Sequence, residues 1–334
     1  MKLTFLNIGF GESVLAETDT GSILIDAGLD RGCVYDGRSH VRPADYLEQA
    51  GIRKIDVVVS THIHSDHILG LPEVVRRFPV GELWVNALSP CKSPRFVPED
   101  FREDDSSRIS AEELRQYSLL LEICREKDIP VRELSQYEKK SAAGFSISVL
   151  SPSRQGQEKY REKLSRLQRT TDQNEFRALS AEISAESNEN SAALLLDGRK
   201  SGGFRALMTA DLSKEFAIPM REHPELFRAE LLKAPHHGNP NCLPPGFFKT
   251  VSPDMVFLCA SWDRRYGCPG LSFLKKAGEY FDAAGKKRAI LCSDSLQIPP
   301  FLFSGGSRIA TEVWNDSISD RLFYRLIKKR NSDE

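Results

Sequence analysis

One short stretch of the sequence is dense in side chains that bind metals. Residues 61–67 read Thr-His-Ile-His-Ser-Asp-His and hold three of the chain's seven histidines. In an extended segment His62 and His64 point to the same side, so both can reach one metal ion. Asp66 and His67 come after the chain turns, and we expect them to face a neighbouring position. Imidazole and carboxylate without cysteine suit Zn, Mn, Fe or Co, and lack the thiolates typical of structural zinc sites.

Two regular elements are expected to hold this stretch in place. Residues 55–60 are apolar and mostly β-branched, which predicts a buried strand. Residues 68–78 have the spacing of a short amphipathic helix. A turn between a buried strand and a helix lies at the rim of a rigid scaffold, where functional residues are commonly found.

Further ligand types follow strands in the second half of the chain. Asp211 comes after the predicted strand 204–209, and taken alone it would be read as a helix N-cap. His236 and His237 follow the predicted strand 230–234. Adjacent residues at a strand end point apart, so one histidine can bind metal while the other faces substrate. The residues alone leave open which histidine does which.

These segments resemble those of a known family. The pattern H-x-H-x-D-H at residues 62–67, following a hydrophobic strand, resembles the metallo-β-lactamase superfamily of dinuclear metallohydrolases. With T-A-D-L-S at residues 209–213 and L-K-A-P-H-H-G at residues 232–238, it is similar to the ComEC-like hydrolase domains of that superfamily. The resemblance covers about residues 3–295 and implies an α/β fold. That fold is a four-layer αβ/βα sandwich of two facing mixed sheets, with helices outside and metals at one edge.

The resemblance also implies roles for single residues. It implies two divalent metal ions, Zn or Mn, that share a hydroxide. The first would be held by His62 and His64, and the second by Asp66, His67 and His237, with Asp211 bridging the two ions. The catalytic residues would be Asp66, beside the hydroxide, and His236, which would protonate the leaving group or contact a phosphate. Asp26, after the strand 23–25, would orient the ligand loop from outside the ligand set.

The sequence departs from the superfamily at one ligand position. Many members use a further histidine on the first metal, but no histidine lies between His67 and His223. Asn188, Asn190 or Ser191, before a predicted strand, could approach that position, and Asn190 and Ser191 could support the site from its second layer. Their oxygens are weaker ligands than imidazole, so we expect either a loosely held first metal or only one metal in the isolated protein.

Composition and local patterns predict the organisation of the rest of the chain. We expect one hydrolase domain over residues 1–300 and a C-terminal extension over 301–334, packed on or beside it as a helix or kept for a partner. Residues 153–187 predict a charged insertion of one or two exposed helices or a partly mobile segment, with a solvated helix face favoured over a basic flap that faces the substrate. Residues 110–127 predict a helix with Ser110 and Glu113 as its capping box.

The net charge of -1 gives no overall attraction to nucleic acid or membrane, so Lys233, Arg264 and Arg265 would be local substrate contacts.

The expected activity is hydrolysis of a phosphodiester, either a small molecule or a nucleic acid. The alternatives are a small-molecule hydrolase acting on a lactone, thioester or phosphoester, and a metal-binding module of the same fold without turnover.

The sequence has no run of 18 apolar residues and no signal peptide, and its seven cysteines are scattered. We therefore expect a cytoplasmic protein with reduced thiols and no membrane contact. Nothing in the sequence supports a protein partner.

Overall fold

The computed structural model describes residues 1–31, 33, 40–88, 95–261, 265–287 and 289–294, together with the backbone of residues 310–316 and 321–327. Arg264 lies outside these residues, so its predicted substrate contact is not described. Over the described residues the chain forms two mixed β-sheets with helices on their outer faces.

The first sheet has the strand order β14-β15-β1-β2-β3-β4-β5-β6. Its strands are β1 (Lys2–Phe5), β2 (Val14–Thr18), β3 (Gly21–Ile25), β4 (Ile55–Ser60), β5 (Val80–Val85), β6 (Val131–Glu133), β14 (Ala310–Asp316) and β15 (Arg321–Ile327). Strands β1 to β3 pair antiparallel, whereas β3 to β6 pair in parallel. The carboxyl ends of β3 and β4 therefore lie at the same edge.

The second sheet has the order β13-β12-β11-β10-β9-β8-β7. Its strands are β7 (Lys139–Ala142), β8 (Phe145–Ser151), β9 (Ala193–Asp197), β10 (Arg205–Met208), β11 (Leu231–Lys233), β12 (Met255–Leu258) and β13 (Ile290–Cys292). Strands β7 to β10 pair antiparallel, and β10 to β13 pair in parallel. Each sheet thus has one antiparallel part and one parallel part.

The helices complete two outer layers. They are α1 (Pro43–Gln49), α2 (Ser65–Ile68), α3 (Leu71–Arg77), α4 (Ser106–Glu126), α5 (Arg154–Arg169), α6 (Gln173–Ser187), α7 (Ala217–Glu222), α8 (Phe247–Val251) and α9 (Leu271–Ala283). Single 3₁₀ turns lie at Pro98–Asp100, Arg199–Ser201, Lys214–Phe216, Pro224–Leu226, Pro235–Gly238 and Arg265–Gly267. None of the helices among the described residues combines the length and the apolar character needed to cross a bilayer.

Three apolar cores separate the layers. The central core lies between the sheets and takes alternate residues from strands of both, such as Phe5 and Phe257, whose rings stack 3.8 Å apart. A second core lies between the first sheet and helices α1 and α3 to α6, and a third between the second sheet and helices α7 to α9. This arrangement confirms the predicted four-layer α/β sandwich of two facing sheets.

The segment 153–187 is more closely packed than the sequence analysis predicted. Helices α5 and α6 bury an apolar side in the core of the first sheet. The buried side chains of the two helices include Tyr160, Leu164, Leu167, Phe176, Leu179 and Ile183. The charged residues of the segment occupy the opposite sides of these helices, for example Lys163 with Glu182. The expectation of mostly solvated helices was therefore wrong, because the sparse apolar positions share one side of each helix.

The C-terminal stretch forms strands where the sequence analysis considered a helix. Backbone pairing places β15 antiparallel to β1, and β14 antiparallel to β15. Strand β1 is therefore internal to the first sheet. The division into a domain ending at residue 300 and an extension over 301–334 remains a prediction.

Candidate metal centre

Five loops meet where the carboxyl ends of the parallel strands of the two sheets come together. From the first sheet, the residue after β3 is Asp26, and the loop 61–67 follows β4. From the second sheet, Asp211 follows β10, the turn Pro235–Gly238 follows β11, and Cys259 follows β12. Parallel strands place their carboxyl ends at one edge, which is the common position of ligand sites in α/β proteins.

Two aspartates and two histidines from both sheets form a compact cluster. Ligand atoms of Asp66, His67, Asp211 and His237 all lie within 4.8 Å of one another. The His237 Nε2 atom is 3.0 Å from Asp66 Oδ2 and 3.3 Å from Asp211 Oδ2. The His67 Nε2 atom is 3.4 Å from Asp211 Oδ1 and 3.4 Å from His237 Nε2. Short distances between carboxylate oxygens and imidazole nitrogens are typical of a metal-ligand set.

A second pair of imidazoles lies beside this cluster. His62 Nε2 and His64 Nδ1 are 3.1 Å apart. The ring of His62 also contacts the ring of His67, with centroids 4.1 Å apart. The loop therefore presents His62 and His64 as one pair and His67 to the neighbouring cluster, as its spacing predicted.

Each of these four histidines directs its other ring nitrogen to a fixed partner. His67 Nδ1 is 2.7 Å from Asp26 Oδ2, and His237 Nδ1 is 2.5 Å from the carbonyl oxygen of Cys259. His62 Nδ1 is 3.1 Å from Thr61 Oγ1, and His64 Nε2 is 3.2 Å from the carbonyl oxygen of Ser184. The carboxylate and carbonyl oxygens accept a hydrogen bond from the imidazole N–H. Thr61 Oγ1 accepts one from His62 as well, because the Thr61 hydroxyl donates its own hydrogen to Asp26. Each ring therefore presents its inward nitrogen to the cluster, and that nitrogen carries a lone pair when the ring is neutral.

This arrangement fits a cation. Imidazole nitrogens and carboxylate oxygens converge on one place, and Asp211 Oδ1 is a buried oxygen without a hydrogen-bond partner among the described residues. Burial lowers the pKa of His237, but Asp211 and Asp66 outweigh it and raise that pKa to about 9. Burial raises the pKa of Asp211, but His237 and His67 outweigh it and hold that pKa well below its usual range. Protons or a metal must balance these carboxylates, and divalent ions suit the donor set.

Asp26 joins the ligand loop to the first sheet. Its carboxylate accepts hydrogen bonds from the Thr61 amide, at 2.8 Å, and from the Thr61 hydroxyl, at 2.7 Å, besides that from His67. It is fully buried and has a positive φ of 56°. One carboxylate therefore sets the start of the loop and the orientation of one ring, which is the contact pattern expected for an orienting group.

Asn190 and Ser191 contact the end of helix α6. The Asn190 amide donates to the carbonyl oxygen of Glu186 at 3.0 Å, and the Ser191 hydroxyl donates to that of Asn188 at 2.8 Å. The next amide, of Ala192, donates to the carbonyl oxygen of Thr61 at 2.9 Å. The segment thus supports the ligand loop through its main chain. A direct role of the two side chains at the first metal stays a prediction.

The histidine doublet differs locally from the extended strand end that the sequence suggested. His236 and His237 have φ values of 45° and 53°, inside the 3₁₀ turn Pro235–Gly238. The turn aims His237 into the cluster, while His236 has a side chain that is 29% exposed and an Nε2 atom 3.8 Å from Asp211 Oδ2. Burial lowers the pKa of His236. The arrangement suits the predicted assignment of His237 to metal and His236 to substrate.

The role of Glu113 was misread from the sequence. Glu113 lies inside helix α4 rather than in its capping box, because the helix begins earlier, with Asp105 as its N-cap. Its carboxylate accepts hydrogen bonds from the amide and hydroxyl of Ser65, at 2.9 and 2.8 Å. No local signal could have identified this contact, since it joins residues far apart in the chain.

The expected substrate contact of Lys233 was wrong. Its side chain is fully buried and forms an ion pair with Glu12, which is also fully buried. Arg265, at the edge of the site, forms an ion pair with Asp30. Lys233 is therefore part of the interior of the protein and cannot reach a substrate phosphate.

Residues 6–115 match the family model described as the metallo-beta-lactamase superfamily. The chain is also 20% identical over 279 residues to ComE operon protein 3 from Bacillus subtilis (strain 168). That alignment covers 80% of this chain and 29% of the relative, so the chain spans less than a third of the curated protein it matches. The matches confirm the predicted resemblance to the metallo-beta-lactamase superfamily and to its ComEC-like domains.

Solved structures give more distant similarities. CmlA, a diiron beta-hydroxylase from Streptomyces venezuelae, is 14% identical with a TM-score of 0.45, covering 88% of this chain and 53% of that one. A diphosphatase from the PhnP family is 14% identical with a TM-score of 0.41, covering 89% and 97%. Human tRNase Z, short form, is 12% identical with a TM-score of 0.42, covering 91% and 100%.

Proposed function

We propose that this chain, whose residues 6–115 belong to the metallo-beta-lactamase superfamily, is a hydrolase that uses two divalent metal ions to cleave phosphodiesters. One observation carries the proposal. Imidazole and carboxylate lone pairs from both sheets converge at one edge, while the N–H groups of the same imidazoles are directed to fixed partners. Zn and Mn both suit these ligands.

The ligands divide between two positions. His62 and His64 would hold the first ion, and Asp66, His67 and His237 the second. Asp211 would lie between them, since its oxygens approach His67 and His237 and it is almost fully buried. Bound divalent metals lower the pKa of water to about 7 and offset the negative charge that develops on the substrate.

Two partly exposed side chains are suited to act on the reacting groups. Asp66 has a side chain that is 22% exposed, against 3% for Asp211, so Asp66 can accept a hydrogen bond from the attacking water and orient it. His236 is 29% exposed beside Asp211, and its ring N–H can donate to a substrate oxygen as the bond to the leaving group breaks.

The rim of the site favours an anionic substrate with a planar substituent. Arg31 is exposed and donates to the Ser65 hydroxyl at 3.3 Å, next to Asp66. Tyr266 is 78% exposed, and its ring contacts Phe10, which in turn packs on the ring of His237. A guanidinium suits a phosphate, and an exposed aromatic ring suits a base or another flat group.

The test compares substrate classes on purified, metal-loaded protein. Bis(p-nitrophenyl) phosphate, nitrocefin and an acyl-homoserine lactone would be supplied with Mn or Zn, with metal content measured in parallel. We expect turnover of the phosphodiester alone, and its loss by at least about 100-fold in His64→Ala and Asp211→Ala. His223→Ala is the matched control, because His223 is 42% exposed and lies outside the site.

The other results have definite meanings. Turnover of the lactone or nitrocefin without turnover of the phosphodiester would assign the chain to small-molecule acyl hydrolysis. Bound metal without turnover of any of the three substrates would indicate a metal-binding module. Absence of bound metal at any concentration would contradict the metal centre itself.

A further inference from the structure

A buried ion pair crosses from one sheet to the other beneath the metal centre. Glu12 lies in the loop between β1 and β2 of the first sheet, and Lys233 is the last residue of β11 in the second. Both side chains are fully buried and in direct contact. Burying two charges costs desolvation free energy that their attraction commonly does not recover, so such a pair adds little net stability over an apolar one. Its contacts point to a different role.

The Glu12 side of the pair is attached to the first ligand loop. The amide of Glu12 donates to the carbonyl oxygen of Asp66 at 2.8 Å, and the carbonyl oxygen of Glu12 accepts from Gly28 at 3.0 Å. At Gly28 a side chain would not fit, because its Cβ would lie 1.7 Å from the Asp66 carbonyl oxygen. The position of Glu12 therefore fixes the main chain that carries the Asp66 carboxylate.

The Lys233 side of the pair is attached to the second ligand loop. Its ammonium group donates to the carbonyl oxygen of Ala210 at 3.0 Å and lies 3.9 Å from Asp211 Oδ1. Ala210 has a positive φ of 45°, which is unusual for a residue other than glycine. The hydrogen bond from the Lys233 ammonium group therefore stabilises the main chain at this strained position. The main chain of Lys233 also accepts from the Thr209 hydroxyl at 2.7 Å.

We propose that the Glu12–Lys233 pair is a positioning device that sets the separation of the Asp66 and Asp211 carboxylates and so assembles the second metal position. The inference rests on the proposed function, since it concerns the same site. Each member of the pair holds one carboxylate-bearing loop, and their contact joins the two loops across the sheets. Ligand geometry must be maintained to within about 0.5 Å for tight binding, and an ion pair between rigid strands provides that constraint.

The test separates positioning from plain stability by using a double variant. Glu12→Gln and Lys233→Met would be made singly and together, and Mn affinity would be measured by titration calorimetry on chelator-stripped, folded protein. Urea unfolding of the metal-free proteins gives the stability readout. The double variant keeps about the same buried volume and the same net charge, so neither a large cavity nor an unpaired buried charge accounts for its behaviour.

We expect the single variants to lose both stability and metal affinity, since each leaves a buried charge without its partner. The double variant should recover the stability of the metal-free protein but bind Mn at least about ten-fold more weakly, the range seen for groups that orient ligands. The control is the exposed pair Asp197→Asn/Arg199→Gln, whose affinity for Mn should equal that of the wild type. Wild-type Mn affinity in the double variant would overturn the proposal.

A folding failure still leaves a decisive measurement. If the double variant does not fold, Glu12→Gln alone keeps the shape of the side chain and removes the charge that pairs with Lys233, and unchanged Mn affinity in it would also refute the proposal. Loss of affinity would support it. Metal binding is measured without substrate, so this result is independent of phosphodiester turnover. Failure of the proposed function would instead appear as a wild-type protein that binds no metal or cleaves no phosphodiester.

Discussion

At the scale of the residue, the site depends on what each histidine does with its outward nitrogen. His67 uses it for a carboxylate, and His64 and His237 use it for main-chain carbonyls. These partners fix the tautomer before any metal arrives, so the inward nitrogens are ready as ligands. The local motif predicted the ligands, whereas the carbonyl partners come from distant segments and could not be read from any local pattern.

Asp26 should matter to metal binding although it is outside the ligand set. In Asp26→Asn the amide nitrogen would replace one of the oxygens that accept from Thr61 and His67. We expect metal affinity to fall by about 10- to 100-fold, as measured by calorimetric titration of stripped protein. Asp19→Asn, at an exposed turn, is the control and should bind as the wild type does. Equal affinity in both variants would remove Asp26 from the support of the site.

The two adjacent histidines should give different phenotypes. His237→Ala removes a ligand of the compact cluster, so we expect purified protein to lose one metal equivalent and its activity. His236→Ala should retain both metals and lower kcat by about 100-fold, because only its contact to substrate is lost. Metal analysis beside kcat measurement distinguishes them. Loss of metal in His236→Ala with retention in His237→Ala would reverse the assignment.

At the scale of the element, helix α6 lies beside the His62 and His64 pair, and helix α5 packs on α6. The carbonyl of Ser184 in α6 orients His64, and Tyr160 of α5 hydrogen bonds to Ser187 at 2.6 Å. The sequence analysis did not detect that the apolar positions of this segment share one side of each helix, because the abundant charges dominate its composition. The segment thus contributes to the site in a chain that lacks the superfamily's further histidine.

A core substitution in α6 should therefore affect both stability and the first metal. Phe176 is fully buried, and its ring stacks on Phe101 with centroids 5.2 Å apart. Phe176→Ala should lower the free energy of unfolding by about 3–5 kcal/mol and weaken metal binding at His62 and His64. Urea denaturation and metal titration measure the two effects.

Glu182→Ala is the matched control on the same helix, since that side chain is 54% exposed. It should change the free energy of unfolding by less than about 1 kcal/mol and leave metal binding as it is. A Phe176→Ala protein that keeps full metal affinity would show that α6 is not needed to orient His64.

At the scale of the whole molecule, the two sheets share one site. The meeting of residues 62–67 with Asp211 and His237 was predictable because each of these segments follows a strand that is recognisable in the sequence. The ion pair of Glu12 with Lys233 was not, because a lysine in an apolar strand gives no sign of its partner in the other sheet. The sandwich was therefore predictable, but the contacts that align its halves were not.

Metal binding should stabilise the entire fold, because the ligands belong to both sheets. At a metal concentration 100-fold above Kd, a ligand of the folded state adds about 2.7 kcal/mol to the free energy of unfolding. We expect Mn or Zn to raise the Tm and a chelator to reverse it, as followed by calorimetry. Asp211→Ala should abolish the increment. A Tm that does not respond to metal in the wild type would contradict ligation across the sheets.

The division of the ligands along the chain has a consequence for biosynthesis. His62 to His67 leave the ribosome long before Asp211 and His237, so a growing polypeptide has an incomplete chelating site. The cluster of Asp66, His67, Asp211 and His237 would then be complete only once both halves have docked. Stoichiometric metal in a preparation would accordingly serve as an assay for correctly matured molecules.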